Sequence, residues 1–90
     1  MVKNSTWSFE ETEKEKLISA LTPELMMLRA KAEISQGELA NLIGVSRQTY
    51  GAIARGARKM TWGTYLSLIL FYDYKHMTHT FIRNIDVFPD

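Results

Sequence analysis

The ninety residues hold 46% hydrophobic side chains, eleven lysines and arginines against ten acids, and no cysteine. That is chain enough for one small core and little else, and it is too apolar for wholesale disorder. Disulfides and thiolate metal sites are excluded, as suits a cytoplasmic protein, and the longest apolar run, residues 68–72, falls far short of the roughly 20 residues a membrane span needs.

The first six residues, Met1-Val2-Lys3-Asn4-Ser5-Thr6, lack the apolar core of a signal peptide. Ser8-Phe9-Glu10-Glu11 has the pattern of a capping box, with Ser8 at the N-cap and Glu11 at N3, and opens a helix expected to run to about Ala20. Only Leu17, Ile18 and Leu21 could anchor that helix, so residues 1–22 are expected to form a helical extension ahead of a main domain over residues 23–90. Thr22-Pro23-Glu24 marks a second helix start, with Thr at the N-cap and Pro at N1, where its missing donor is harmless. Leu25, Leu28 and Ala32 then form the buried stripe of a helix ending near Glu33.

Residues 35–56 hold two short helical patterns hinged on Gly44. Ser35 can cap the first, whose apolar positions Leu39, Ala40, Leu42 and Ile43 recur at helical spacing. Gly44 follows the last of them, where a left-handed backbone suits a residue without a side chain. Val45 packs the corner, Ser46 can cap the second helix, and Tyr50 and Ile53 face inward. Ala40 is small enough to let two steeply crossing helices approach. Gly56 stops the second helix, and residues 57–60 form a short basic loop. Thr61 can cap a helix to about Asp73, with Trp62, Tyr65, Leu66 and Ile69 on one stripe and Leu68, Phe71 and Tyr72 on other faces. A last helix, about residues 75–84, carries Met77 and Phe81, and the pattern breaks off at residues 87–90 as if interrupted. No strand, repeat or low-complexity segment is expected: the fold class is all-α, a bundle of four to five helices.

The near-neutral total charge hides a division. Residues 1–24 carry three lysines against five glutamates, and residues 61–90 carry two cations against three aspartates. Residues 25–60 carry Arg29, Lys31, Arg47, Arg55, Arg58 and Lys59 against only Glu33 and Glu38. At about 100° per residue, Arg47, Gln48, Gly51, Ala52 and Arg55 share one arc of roughly 140° on the second helix, opposite Tyr50 and Ile53.

The segments Leu28-Arg29, Ile34-Ser35-Gln36-Gly37-Glu38-Leu39-Ala40, Gly44-Val45-Ser46-Arg47-Gln48-Thr49 and Ile53-Ala54-Arg55-Gly56 together resemble the lambda repressor/Cro (XRE-like) helix-turn-helix family over about residues 24–74. The resemblance implies a double-stranded DNA partner, with the second helix in the major groove, and a repressor-type transcriptional regulator binding as a homodimer. On the outward arc, Arg47 can donate to guanine O6 and N7 and Gln48 can pair with adenine, while Gly51 and Ala52 allow close approach to base edges. A surface glycine merely tolerated at position 51 is the plainer alternative. The matching family glutamine implies that Gln36 contacts phosphate. Ser46, Arg55, Arg58 and Lys59 are further phosphate candidates, which position without carrying sequence information, and the Tyr50 hydroxyl could join them. The family often pairs the first-helix arginine with a glutamate where this chain has Ala54. Arg29 is therefore expected to be partly exposed and either bonded to carbonyls, such as those ending the second helix, or hydrated.

Leu68, Phe71, Tyr72, Phe81, Ile85, Val87 and Phe88 exceed what one small core can bury. All of them except Val87 are assigned to a dimer interface built from the last two helices. His76 and His79 lack a neighbouring carboxylate or cysteine suited to a metal site, and no nucleophile–base pair or phosphate loop occurs, so neither an enzyme nor a cofactor is expected. Two rival readings remain: the antitoxin of a toxin–antitoxin pair that also binds its own promoter, and a protein-interaction module on the same fold.

Overall fold

The computed structural model describes residues 10–88, which are helical throughout apart from turns and loops. The helices are α1 (Glu11–Leu21), α2 (Leu25–Ala32), α3 (Gln36–Ile43), α4 (Arg47–Ala54), α5 (Trp62–Tyr74) and α6 (His76–Asn84), with a 3-10 turn, Thr22–Glu24, between α1 and α2. The all-α class expected from the sequence is the one observed; taking α1, the 3-10 turn and α2 as one helical stretch gives a bundle of five.

Two helix boundaries differ from expectation. Ser8 lies outside the described residues, and Glu10 stands at the N-cap of α1, its N–H donating to Glu13 Oε1 at 3.3 Å. Thr22 closes α1 instead of opening α2. Its hydroxyl donates back to the Ile18 carbonyl at 2.9 Å, and its backbone stays in the right-handed region. A helix-interior hydroxyl can bond the preceding turn in this way as readily as it can cap. Pro23 then tightens the chain into the 3-10 turn. The end of α2 needs no glycine: Glu33 adopts φ 57°, and the N–H groups of Glu33 and Ile34 return to the carbonyls of Ala30 and Arg29.

One core joins all the helices. Leu21 of α1, Leu25 and Leu28 of α2, Leu39 of α3, Tyr50 of α4, Tyr65, Leu68 and Tyr72 of α5, and Ile82 of α6 are each fully buried in it. Helix α1 adds Ile18 to that core and lays the Lys14 ammonium 5.7 Å above the Trp62 ring. Helix α5 is central, packing against α1, α3 and α6.

That central position corrects part of the interface expected from sequence. Leu68 and Tyr72 are fully buried within the single chain, as is Val87, so none can meet a second copy. Phe71, Phe81, Ile85 and Phe88 are half-buried and packed on the core. An apolar run with no polar stripe gives no phase, and the face that α5 turns inward was decided by its three neighbours.

Helix α6 and residues 87 and 88 after it are tied to α5. The Tyr65 hydroxyl donates to the Val87 carbonyl, and the Thr78 hydroxyl donates to the Tyr72 carbonyl at 2.7 Å. Arg83 grips Asp73 through two bonds of 2.7 and 2.9 Å, and its guanidinium lies 4.2 Å from the Phe88 ring. This grip holds the Asp73 carboxyl below the usual carboxylate range. His79 Nδ1 also sits 3.0 Å from that carboxylate.

Burial raises the hydroxyl pKa of all three core tyrosines, pushing Tyr65 up to about 12. The Tyr50 and Tyr72 hydroxyls lie near the Arg29 guanidinium, whose charge offsets part of the rise, and neither makes a well-formed hydrogen bond among the described residues.

Candidate nucleic-acid interface

Short-range bonds set the frame of α3 and α4. Ser35 caps α3, its Oγ accepting from the Glu38 N–H at 3.1 Å while the Glu38 carboxylate accepts from the Ser35 N–H at 3.1 Å. At the other end Gly44 takes φ 82°, and the N–H groups of Gly44 and Val45 close on the carbonyls of Asn41 and Ala40. Ser46 then caps α4, accepting from the Thr49 N–H at 3.0 Å. Ala40 is buried where α3 packs on α4, and Tyr50 and Ile53 turn inward as their spacing implied. Beyond α4, Gly56 at φ 79° ends the helix, and the N–H groups of Ala57 and Arg58 return to the Ala52 carbonyl.

The outward arc of α4 is only partly as expected. Arg47 and Gln48 are exposed in its first turn, Ala52 is half-buried one turn on, and Arg55 is exposed at the C-cap. Gly51 is buried. A Cβ built on it would meet Arg55 Nη1 at 3.5 Å and Gln36 Oε1 at 3.9 Å. The Arg55 side chain thus folds back one turn, and the half-buried Gln36 reaches across from α3, so that the two cover the glycine. In the free protein Gly51 does not present bare backbone to a base edge; the missing side chain leaves room for Gln36 and Arg55 instead. A second arginine lies over α3 in a similar way, with Arg47 Cδ 3.8 Å from the position of a Cβ on Gly37.

The phosphate candidates divide. Gln36 stands at the first position of α3, where unpaired N–H groups and the helix dipole favour an anion. Arg55 and Arg58 are exposed and make no ion pair among the described residues. Lys59 is engaged with Glu15 of α1 at 3.0 Å across an exposed gap, a contact that sequence spacing could not show. Ser46 is committed to its cap, donating to Thr49 Oγ1 at 3.0 Å while accepting from the Thr49 N–H. Tyr50 is fully buried, so its hydroxyl cannot reach a phosphate.

Arg29 is half-buried, as expected, but its acceptor is different. Nη1 donates to the Ile34 carbonyl at 3.1 Å, in the turn between α2 and α3 and not at the end of α4. The absence of a glutamate at Ala54 is therefore met locally, and the guanidinium braces the start of α3.

No helix among the described residues is long and apolar enough to cross a membrane. No curated protein and no solved structure matches the chain. A family profile described as a helix-turn-helix domain matches residues 20–74, a span that takes in α2 to α5, with the capped α3 and α4 and the exposed Arg47 and Arg55 at the two ends of α4. With more than half of its length in that match, the chain belongs to the helix-turn-helix domain family, and DNA is the partner that membership supports.

Proposed function

We propose that this protein is a sequence-specific, homodimeric DNA-binding transcriptional regulator acting as a repressor. The observation that carries the reading is the start of α4: Arg47 and Gln48 stand exposed in the first turn of a helix whose cap, turn and inward face are all satisfied without them. Neither side chain contributes to the core, and both have the donor geometry for purine edges in the major groove, Arg for guanine and Gln for adenine. Ala52 offers a methyl to a thymine methyl on the same arc. Gln36, Arg55 and Arg58 surround this arc and the loop after it, and serve as phosphate contacts that orient the helix. A helix of eight residues, about 12 Å long, covers only a few base pairs. Two copies on a twofold axis, reading half-sites about 34 Å apart, supply the rest of the site.

The test is selection of bound duplexes from random sequence, followed by titration of the selected site. A palindromic consensus is expected. Gln48→Ala should weaken the selected site by about 1–3 kcal/mol and random duplex much less. Arg58→Gln should weaken both alike and flatten the salt dependence by about 0.9 in log–log slope. Equal losses on both duplexes for Gln48→Ala would remove it from base reading, and the absence of any selected consensus would overturn sequence-specific binding.

A further inference from the structure

Of the cations in residues 25–60, Lys59 alone stands in an ion pair among the described residues, its Nζ 3.0 Å from Oε2 of Glu15 on α1. The fold does not depend on that pair. Its side chains are 58% and 57% exposed, and an exposed pair of this kind adds little to stability. Helix α1 is held by Ile18 and Leu21 in the core and by Lys14 over the Trp62 ring. The loop is held by the N–H groups of Ala57 and Arg58 on the Ala52 carbonyl at one end and by the buried Met60 at the other. What Glu15 fixes is the Lys59 side chain.

We propose that Glu15 is a built-in counterion, which Lys59 exchanges for a DNA phosphate on binding, so that α1 lowers the affinity for every duplex and flattens its dependence on salt. The inference rests on the DNA-binding part of the proposed function and adds Lys59 to its phosphate contacts.

Placement favours the exchange. Lys59 lines an open cleft together with Arg55 and Arg58, opposite Ile18 and Ser19 of α1. A strand whose phosphates meet Arg58 passes beside Lys59, its neighbour in the chain. The chemistry permits it as well. A lysine ammonium is a point charge with three rotatable donors, and a carboxylate and a phosphate offer it the same anionic oxygen. Lys59 can change one for the other by turning its side chain while the loop backbone stays in place. Arg83, which holds Asp73 through two aligned bonds, would lose both in a similar move.

Charge sets the cost of the exchange. Duplex DNA carries one phosphate per about 1.7 Å of axis, so the lysine has phosphates to move to, but the vacated carboxylate is left beside them. Within a Debye length, about 8 Å at physiological ionic strength, Glu15 then repels the strand. The exchange also releases fewer ions than a free lysine would, because Lys59 arrives already neutralised and Glu15 gathers cations once it is left. Glu15 lies outside residues 20–74, the span of the helix-turn-helix match, so the device belongs to the part of this chain ahead of that domain.

Titration of the full chain with labelled random duplex, repeated across salt concentrations, tests the proposal. Glu15→Gln should bind about two- to fivefold more tightly at low salt, with a log–log salt slope steeper by up to about 0.9 and a urea midpoint close to that of the wild type. Glu11→Gln removes the same charge one turn away, where it answers Lys14 of its own helix, and should change affinity less. The gain from Glu15→Gln should shrink in a Lys59→Gln background, since no lysine is then left to release. An unchanged affinity or slope for Glu15→Gln, an equal gain for Glu11→Gln, or an equal gain with and without Lys59 would overturn the exchange. If the wild type still prefers its selected duplex, such a result leaves base reading intact. A wild type that binds no duplex would overturn both. A wild type without duplex preference, combined with a gain that depends on Lys59, would support the exchange and overturn sequence-specific binding.

Discussion

In α3 and α4, side-chain positions follow from bonds between close neighbours in sequence: Ser35 with Glu38, Ser46 with Thr49, and the turn at Gly44 between them. In α5 and α6 they follow from contacts that cross the fold, as Tyr65 reaches Val87, Thr78 reaches the Tyr72 carbonyl, and Arg83 grips Asp73. The difference assigns the labour. A segment that sets its own caps and turn can leave its outer arc to charged and polar side chains that take no part in the core, and α4 does so with Arg47 and Gln48. A segment held by burial supplies the core for the whole molecule, and α5 does so with three of the largest buried side chains. Tyr50 is the joint between the halves, the α4 side chain whose hydroxyl lies close to that of Tyr72.

The largest expected effect breaks the buried half. Above pH 10 the tyrosines of an unfolded chain ionise, while Tyr50, Tyr65 and Tyr72 hold their protons in the fold, Tyr65 until about 12. The unfolded state then binds fewer protons, so stability falls as pH rises, by about 1.4 kcal/mol per unit for each such tyrosine. Tyr65 and Tyr72 acting together take away a large part of the usual 5–15 kcal/mol of a small domain over a few pH units, and Tyr50 adds in the same direction. Far-ultraviolet circular dichroism and tyrosinate absorbance, followed together, should show helix loss coinciding with a cooperative step of ionisation between pH 10 and 12. Gradual ionisation of every tyrosine with the helices intact would show the core to be open to water.

A smaller effect tests the local half. Ser35→Ala removes the hydroxyl that accepts from the Glu38 N–H and should destabilise the protein by about 1 kcal/mol. Urea denaturation measures it, with an unchanged dependence on denaturant because the same surface is exposed on unfolding. A change under a few tenths of a kcal/mol would mean that packing of Leu39 and Ala40, and not the cap, fixes the start of α3.

The same division governs what could be read from the residues alone. The caps at Ser35, Ser46 and Thr61, the left-handed Gly44, the small Ala40 and the inward Tyr50 and Ile53 are local, so sequence spacing was sufficient for each. Thr22 reads as a forward cap because a hydroxyl that caps forward and one that bonds backward look alike in sequence, and the left-handed Glu33 carries no signal of its own. The phase of α5 is illegible in an apolar run, so Leu66 reads there as one stripe with Trp62, Tyr65 and Ile69, and Leu68 and Tyr72 as interface residues, whereas the fold buries those two and leaves Leu66, Leu70 and Tyr74 as an exposed stripe. Its four-residue spacing was nonetheless present as the complement of the Tyr65, Leu68, Ile69 and Tyr72 face. Lys59 with Glu15 and Arg29 with the Ile34 carbonyl are products of packing and had no signature.

Gly51 lies where the two halves of the comparison come closest to conflict, since its place on the outward arc suggested exposure and the fold buries it. Its backbone is ordinary helix, and a Cβ there would touch Arg55 Nη1 at 3.5 Å and Gln36 Oε1 at 3.9 Å, both normal van der Waals distances to the ends of flexible side chains. Alanine therefore fits. Replacing a helix-interior glycine by alanine favours the helix by about 0.8–1 kcal/mol, and displacing two covering side chains slightly takes back only part of that. Gly51→Ala should thus raise stability by roughly half to one kcal/mol in urea titrations, the smallest of these effects and the one in the stabilising direction. Binding to the selected duplex should change by less than about twofold, a few tenths of a kcal/mol, because Arg55 and Gln36 still cover the position. A more stable protein that has lost tenfold or more in affinity for its site, while keeping its affinity for random duplex, would show that DNA binding lifts those side chains and brings the α4 backbone against a base edge. The buried arrangement would then belong to the free protein alone.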